Sequence, residues 1–142
     1  MIRQSISLCF ALLVAAPAHA DAPAERIAFE FAGMRSSNGA VLCSVYQAEK
    51  AWLKSSYKQA RAVITDKQAT CVFDALPPGN YAVAVFHDEN GNNKLDTNMF
   101  GAPKEGTGAS NNARGKMSAP KWKDAKFDYT GAAIKQVITI TY

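Results

Sequence analysis

Residues 76–98, LPPGNYAVAVFHDENGNNKLDTN, join an apolar run to a polar one. Pro77 and Pro78 cannot donate to a β-ladder, so they mark a turn at the start of a strand. From Tyr81 the residues alternate, with Tyr81, Val83 and Val85 on one face and Ala82, Ala84 and Phe86 on the other. Both faces are apolar, which predicts a central strand covered on both sides. That strand runs directly into His87 and a loop of Asp and Asn.

In that loop Asp88, Asn90, Asn92 and Asp96 occupy alternate positions of the kind that converge on a cation, and the Lys94 carbonyl is a further oxygen. Calcium takes six to eight such oxygen ligands. Asn92 and Asn93 stand where many calcium loops carry Asp-Gly, and Leu95 is expected to anchor the loop to the core. Ca2+ is therefore a candidate cofactor, with Asp88, Asn90, Asn92, Lys94 and Asp96 as its candidate ligands. Turn chemistry without a metal is the competing reading, because Asn-Gly is also a strong hairpin signal.

Working outward, residues 26–33 (RIAFEFAG) and 40–46 (AVLCSVY) alternate with period two and predict strands, separated by a Ser-Ser-Asn-Gly turn. Further short strands are expected at 62–65, 69–76, 126–129 and 134–142. Residues 47–61 read as a helical turn or loop in which Trp52 covers the core. Between Asp88 and Lys126 no period appears, yet Met99, Phe100, Met117 and Trp122 punctuate the stretch, so one long ordered loop is expected. Within it Ser118 and Pro120 predict a helical turn, as N-cap and first-turn residue. About seven short strands with little helix predict an all-β fold, a single antiparallel β-sandwich over residues 21–142.

The first 20 residues carry Arg3, an apolar run over 6–16 and a small-residue Ala-His-Ala ending at Ala20. They read as a signal peptide cleaved near Ala20, placing the mature chain in the periplasm or outside the cell, with no membrane span of its own. Cys43 and Cys71 remain, and an even pair in an oxidising compartment predicts a disulfide. A formal charge of +4 is too small an excess to indicate nucleic acid as a partner.

Residues 78–83 read Pro-Gly-Asn-Tyr-Ala-Val, 87–92 His-Asp-Glu-Asn-Gly-Asn, 95–96 Leu-Asp, 101–106 Gly-Ala-Pro-Lys-Glu-Gly and 110–112 Ser-Asn-Asn. In this order the elements resemble the domain of unknown function 2141 family of small exported bacterial proteins. The resemblance runs from about Leu76 to the C-terminus. It implies a transthyretin-like or carboxypeptidase-regulatory-like sandwich and no established activity. Thr107 and Ala109 depart from the pattern, standing where that family often has larger aromatic residues.

His87 is the one histidine beyond the signal peptide. No nucleophile elbow, paired-carboxylate pattern or histidine-rich metal motif accompanies it, so an enzyme is not expected. Lys104, Glu105, Ser110, Asn111, Asn112 and Arg114, with His87, are candidate ligand-binding residues. Backbone satisfaction is the competing role for the Ser and Asn side chains. The function expected is an exported, disulfide-closed binding or envelope-accessory module for an unknown envelope or extracellular ligand. The alternative is a hydrolytic envelope enzyme using His87.

Overall fold

The computed structural model describes residues 25–142, so the expected signal peptide over 1–20 lies outside the described residues. Among the described residues eight strands form: β1 (Arg26–Ala32), β2 (Ala40–Tyr46), β3 (Lys58–Val63), β4 (Thr70–Asp74), β5 (Gly79–Asp88), β6 (Thr107–Ala109), β7 (Phe127–Tyr129) and β8 (Ile134–Thr139). One sheet has the order β4-β1-β8. The other has the order β3-β2-β5-β6, with β7 paired to the start of β5. The expected β-sandwich is therefore what the chain builds. Every pairing is antiparallel except β1 with β8, which is parallel.

Alternation decides which side chains meet between the sheets. Ile27, Phe29 and Phe31 of β1 face Val41, Cys43 and Val45 of β2 and Tyr81, Val83 and Val85 of β5, all almost wholly buried. Burying each such large side chain contributes roughly 1.5–3 kcal/mol. The Cys43–Cys71 disulfide crosses this core from β2 to β4, as the cysteine count predicts.

The outer face of β5 is also covered. Ala82 packs with Tyr46, Trp52, Ala109 and Ala125, so the long excursion lies over the second sheet and β5 is buried on both sides, as its sequence predicts. Trp52 closes that layer, donating its indole N–H to the Pro120 carbonyl at 2.8 Å.

Three local expectations are corrected. The strand expected at 62–65 is β3, Lys58–Val63, pairing with β2. The helical turn is not capped by Ser118. It is α1 (Trp122–Ala125), preceded by an extended Lys121 that makes no side-chain cap, because the Trp52 contact holds Pro120 in place just before it. Third, β6 is an additional strand. Gly108 fits there because a Cβ would lie 2.6 Å from Ile138 Cγ2 of β8.

Candidate functional site

The end of β5 places His87 and Asp88 opposite Val41 and Ala40 of β2. Both side chains are fully buried. The turn before β2 is pressed against this end. Gly39 has φ +68°, and a Cβ on it would fall 1.8 Å from the Asp88 carbonyl oxygen, so only glycine fits. That turn brings the Asn38 carbonyl within 2.7 Å of His87 Nε2, and Tyr142 Oη lies 2.6 Å from Nδ1. A carbonyl only accepts, so Nε2 carries the proton toward Asn38, and neutral imidazole then accepts from the Tyr142 hydroxyl at Nδ1. Burial raises the Tyr142 phenol above its ordinary value, which keeps that proton in place. His87 is thus locked at both nitrogens and does not reach the surface.

Asp88 organises the loop that follows. Its Oδ1 accepts the Asn92 N–H at 3.1 Å and its Oδ2 the Asn93 N–H at 2.9 Å. Asn93 takes φ +60°, the left-handed conformation for which glycine is usual and asparagine tolerated. Asn90 Oδ1 accepts the Asn92 N–H and Asn92 Oδ1 accepts the Lys94 N–H. The amide nitrogens of Asn90 and Asn92 then donate to the Asp96 carboxylate at 2.6 and 3.0 Å.

So Asp88, Asn90, Asn92 and Asp96 share one closed network, while Lys94 enters it through its N–H. Among the described residues no three His, Cys, Asp or Glu side chains gather as a metal-holding group. A cation in this loop would have to be held by amide, backbone and water oxygens around two carboxylates. Leu95 does not anchor the loop as expected; it is 38% exposed.

Glu105 supplies the anchor instead. It is buried, and its two carboxylate oxygens accept the N–H groups of Glu89 and Asp96, each at 3.1 Å. One side chain thereby ties both ends of the 89–96 loop together. Its neighbour Lys104 donates its N–H to the Asp96 carbonyl at 2.8 Å.

A cleft of about 560 Å³ opens here, lined by Arg35, Glu89, Asn90, Asp96, Lys104 and Glu105. Sequence reasoning missed Arg35 and Glu89. Arg35 lies just before the Ser-Ser-Asn-Gly turn, where no motif marks it, and only the fold carries it to Glu89, 2.6 Å from Oε1. The Arg35 guanidinium also lies 4.2 Å over the Tyr142 ring. Hydrogen bonding from Arg35 holds the Glu89 carboxyl below the usual range, with Ser36 adding a second donor at 3.1 Å. A depressed folded-state value means that this contribution is present above the unfolded pKa and is lost as pH falls through the folded one. Glu89→Gln is therefore expected to flatten the acid limb of a melting-temperature-against-pH curve below about pH 4.5. Equal acid limbs for parent and variant would contradict this.

The remaining candidates sit elsewhere, under the excursion. Ser110 is fully buried; its hydroxyl accepts the Val83 N–H at 2.9 Å and donates to the Ala125 carbonyl at 2.6 Å. Asn111 donates its amide to the Lys126 carbonyl at 2.8 Å. Asn112 accepts the Thr139 N–H at 2.8 Å and donates to the Val137 carbonyl at 3.2 Å. Their polar atoms thus serve the backbone that seats 110–126 on the sandwich. Arg114 is exposed beyond them. These four are not brought to the cleft that Lys104 and Glu105 line.

The family model described as "Uncharacterized protein conserved in bacteria (DUF2141)" matches residues 30–137. The chain belongs to this family. No curated protein and no solved structure matches it. The DUF2141 match begins within β1 and ends within β8, so it takes in both sheets, the Asp88 loop, the cleft and the whole excursion.

Proposed function

We propose that this DUF2141 protein is an exported binding or envelope-accessory module, not an enzyme, whose recognition end is the cleft beside residues 88–96, and that calcium orders this loop. The observation that carries the reading is the convergence of Asn90 and Asn92 on Asp96 in a loop whose first residue, Asp88, is fixed by the sheet. Two amide N–H donors now meet the Asp96 carboxylate. Rotating each amide by half a turn exchanges nitrogen for oxygen, giving up the Oδ1 bonds to the Asn92 and Lys94 N–H groups, and the same positions then offer oxygens to a cation held by Asp96. With two carboxylates the affinity is expected to be weak, about 10⁻⁴ to 10⁻³ M, as in extracellular calcium modules. The disulfide and the 1–20 segment support export.

Millimolar calcium at about ten times Kd is expected to raise the melting temperature of residues 21–142 by about 3–5 °C over the chelated protein. Asp96→Asn removes this response while leaving the Asp88 backbone bonds intact. An unchanged melt across millimolar calcium sinks the cation reading.

A further inference from the structure

Residues 113–126, the outer part of the excursion, carry Arg114, Lys116, Lys121, Lys123 and Lys126 against Asp124 alone. Elsewhere in residues 25–142 Lys and Arg equal Asp and Glu, ten of each, so the basic excess of the described chain lies in this one segment. All five cations are exposed, and among the described residues none takes part in an ion pair. The segment also gathers them. A Cβ on Gly115 would fall 2.0 Å from the Ser118 carbonyl oxygen and 2.5 Å from that of Ala119, so the limb carrying Arg114 and Lys116 lies against the limb leading to Lys121. The fold fixes that second limb. Trp52 holds the Pro120 carbonyl, and its ring meets Trp122 edge-on with centroids 5.9 Å apart. Holding like charges together costs Coulomb energy, and within the segment only Asp124 offsets it.

We propose that this basic segment is a docking surface for a bilayer rich in anionic phospholipid: Arg114, Lys116, Lys121 and Lys123 meet the lipid phosphates, and Met117 enters the headgroup layer between them. Met117 is fully exposed and has φ +53°, a left-handed conformation that is costly for a side chain of its kind. Residues 116–119 around it are all exposed. An exposed turn suits a flat surface and needs no shaped pocket. Clusters of four to eight Lys and Arg are what anionic headgroups attract, at roughly fivefold in affinity per cation.

The residue types favour a bilayer over a soluble polyanion. Four of the five cations are Lys, compact point charges suited to the diffuse field of headgroups, whereas bidentate recognition of nucleic-acid phosphates favours the planar fork of Arg. Trp122 is half-buried against Trp52 and not open as a platform on which bases stack. Met117 gains from an apolar layer and not from a hydrated polymer. The segment shares no residue with the cleft beside 88–96, so its docking does not depend on the calcium reading.

Flotation of residues 21–142 with vesicles tests it; the described sandwich lies wholly within that stretch, and the apolar 6–16 run would bind lipid by itself. In chelator and low salt the protein is expected to float with vesicles of equal parts phosphatidylglycerol and phosphatidylethanolamine, and not with phosphatidylcholine alone. Added salt is expected to release it. Lys116→Gln with Lys121→Gln and Lys123→Gln is expected to weaken flotation roughly a hundredfold while melting like the parent. Met117→Ser is expected to weaken it about threefold or more. A matched control, Arg26→Gln with Lys67→Gln and Lys135→Gln, removes the same charge from exposed positions outside the segment and is expected to float nearly as the parent does. No flotation of the parent overturns the proposal, as does a serine variant that floats like the parent. An equal loss in the matched control also overturns it, because net charge alone then explains the binding. So does tighter binding to polygalacturonate or to a single-stranded oligonucleotide than to the vesicles; the segment would then serve a soluble polyanion.

Discussion

Cys43→Ala with Cys71→Ala is expected to lower the melting temperature by roughly 10–20 °C, the larger of two strong effects built into this fold. The bridge spans a sequence separation of 28 residues and joins β2 of one sheet to β4 of the other. Loop closure on that scale stabilises by about 3–4 kcal/mol in the chain-entropy account. Both sulfurs sit in the inter-sheet core, where Cys43 and Cys71 are buried beside the β1 phenylalanines. Removing them therefore also loosens packing. Melts with and without reductant, together with a thiol count, check this. Two free thiols in a protein with an undiminished melting temperature would contradict it.

The second strong effect belongs to His87. His87→Ala is expected to cost about 3 kcal/mol, a fall of roughly 10 °C. The side chain is fully buried, so truncation leaves a cavity at the end of β5. It also strands the Asn38 carbonyl and frees the Tyr142 hydroxyl, which otherwise also accepts the Arg35 N–H at 3.2 Å. The Tyr142 ring under Arg35 then loses one of its fixed points. His87→Gln, which keeps a donor toward Asn38, is expected to lose less. A hydrolytic role predicts the opposite pattern, lost turnover on an undisturbed fold. Thermal melts of the two variants separate the readings, and an alanine variant as stable as the parent would refute the structural role.

The sequence was most legible where one periodicity acted alone. Residues 40–46 alternate cleanly after a Ser-Ser-Asn-Gly turn, and β2 has those bounds. The twofold apolar character of 81–87 revealed a strand covered on both faces, as β5 is. Where alternation was weak or the partner came from far along the chain, local reading failed. β3 carries Lys58, Gln59 and Arg61 with only alanines and Val63 between, too weak an alternation for a strand that borders the sheet. β6 is Thr-Gly-Ala, whose reason for being extended is the close passage of Ile138.

The site divides in the same way. The loop motif located Asp88, Asn90, Asn92 and Asp96 together because they are neighbours in sequence. Arg35 joined them only through the tertiary turn against β5, for which no local pattern exists. Glu105 was assigned to a ligand rim, yet its carboxylate is committed to two backbone N–H groups, a role that depends on the loop folding back. Ser110, Asn111 and Asn112 were grouped by adjacency, and the excursion turns them inward to seat itself.

The parallel pairing of β1 with β8 has a kinetic consequence. Ile27 aligns with Ile134, so β1 and β8 meet across a separation on the order of a hundred positions. The β4-β1-β8 layer cannot be completed during synthesis until β8 has emerged. Such nonlocal closure is slow, and it leaves β1 with one vacant border until β8 is made. Cys43 and Cys71, both made before β8, are free to join before the β1–β8 seam closes.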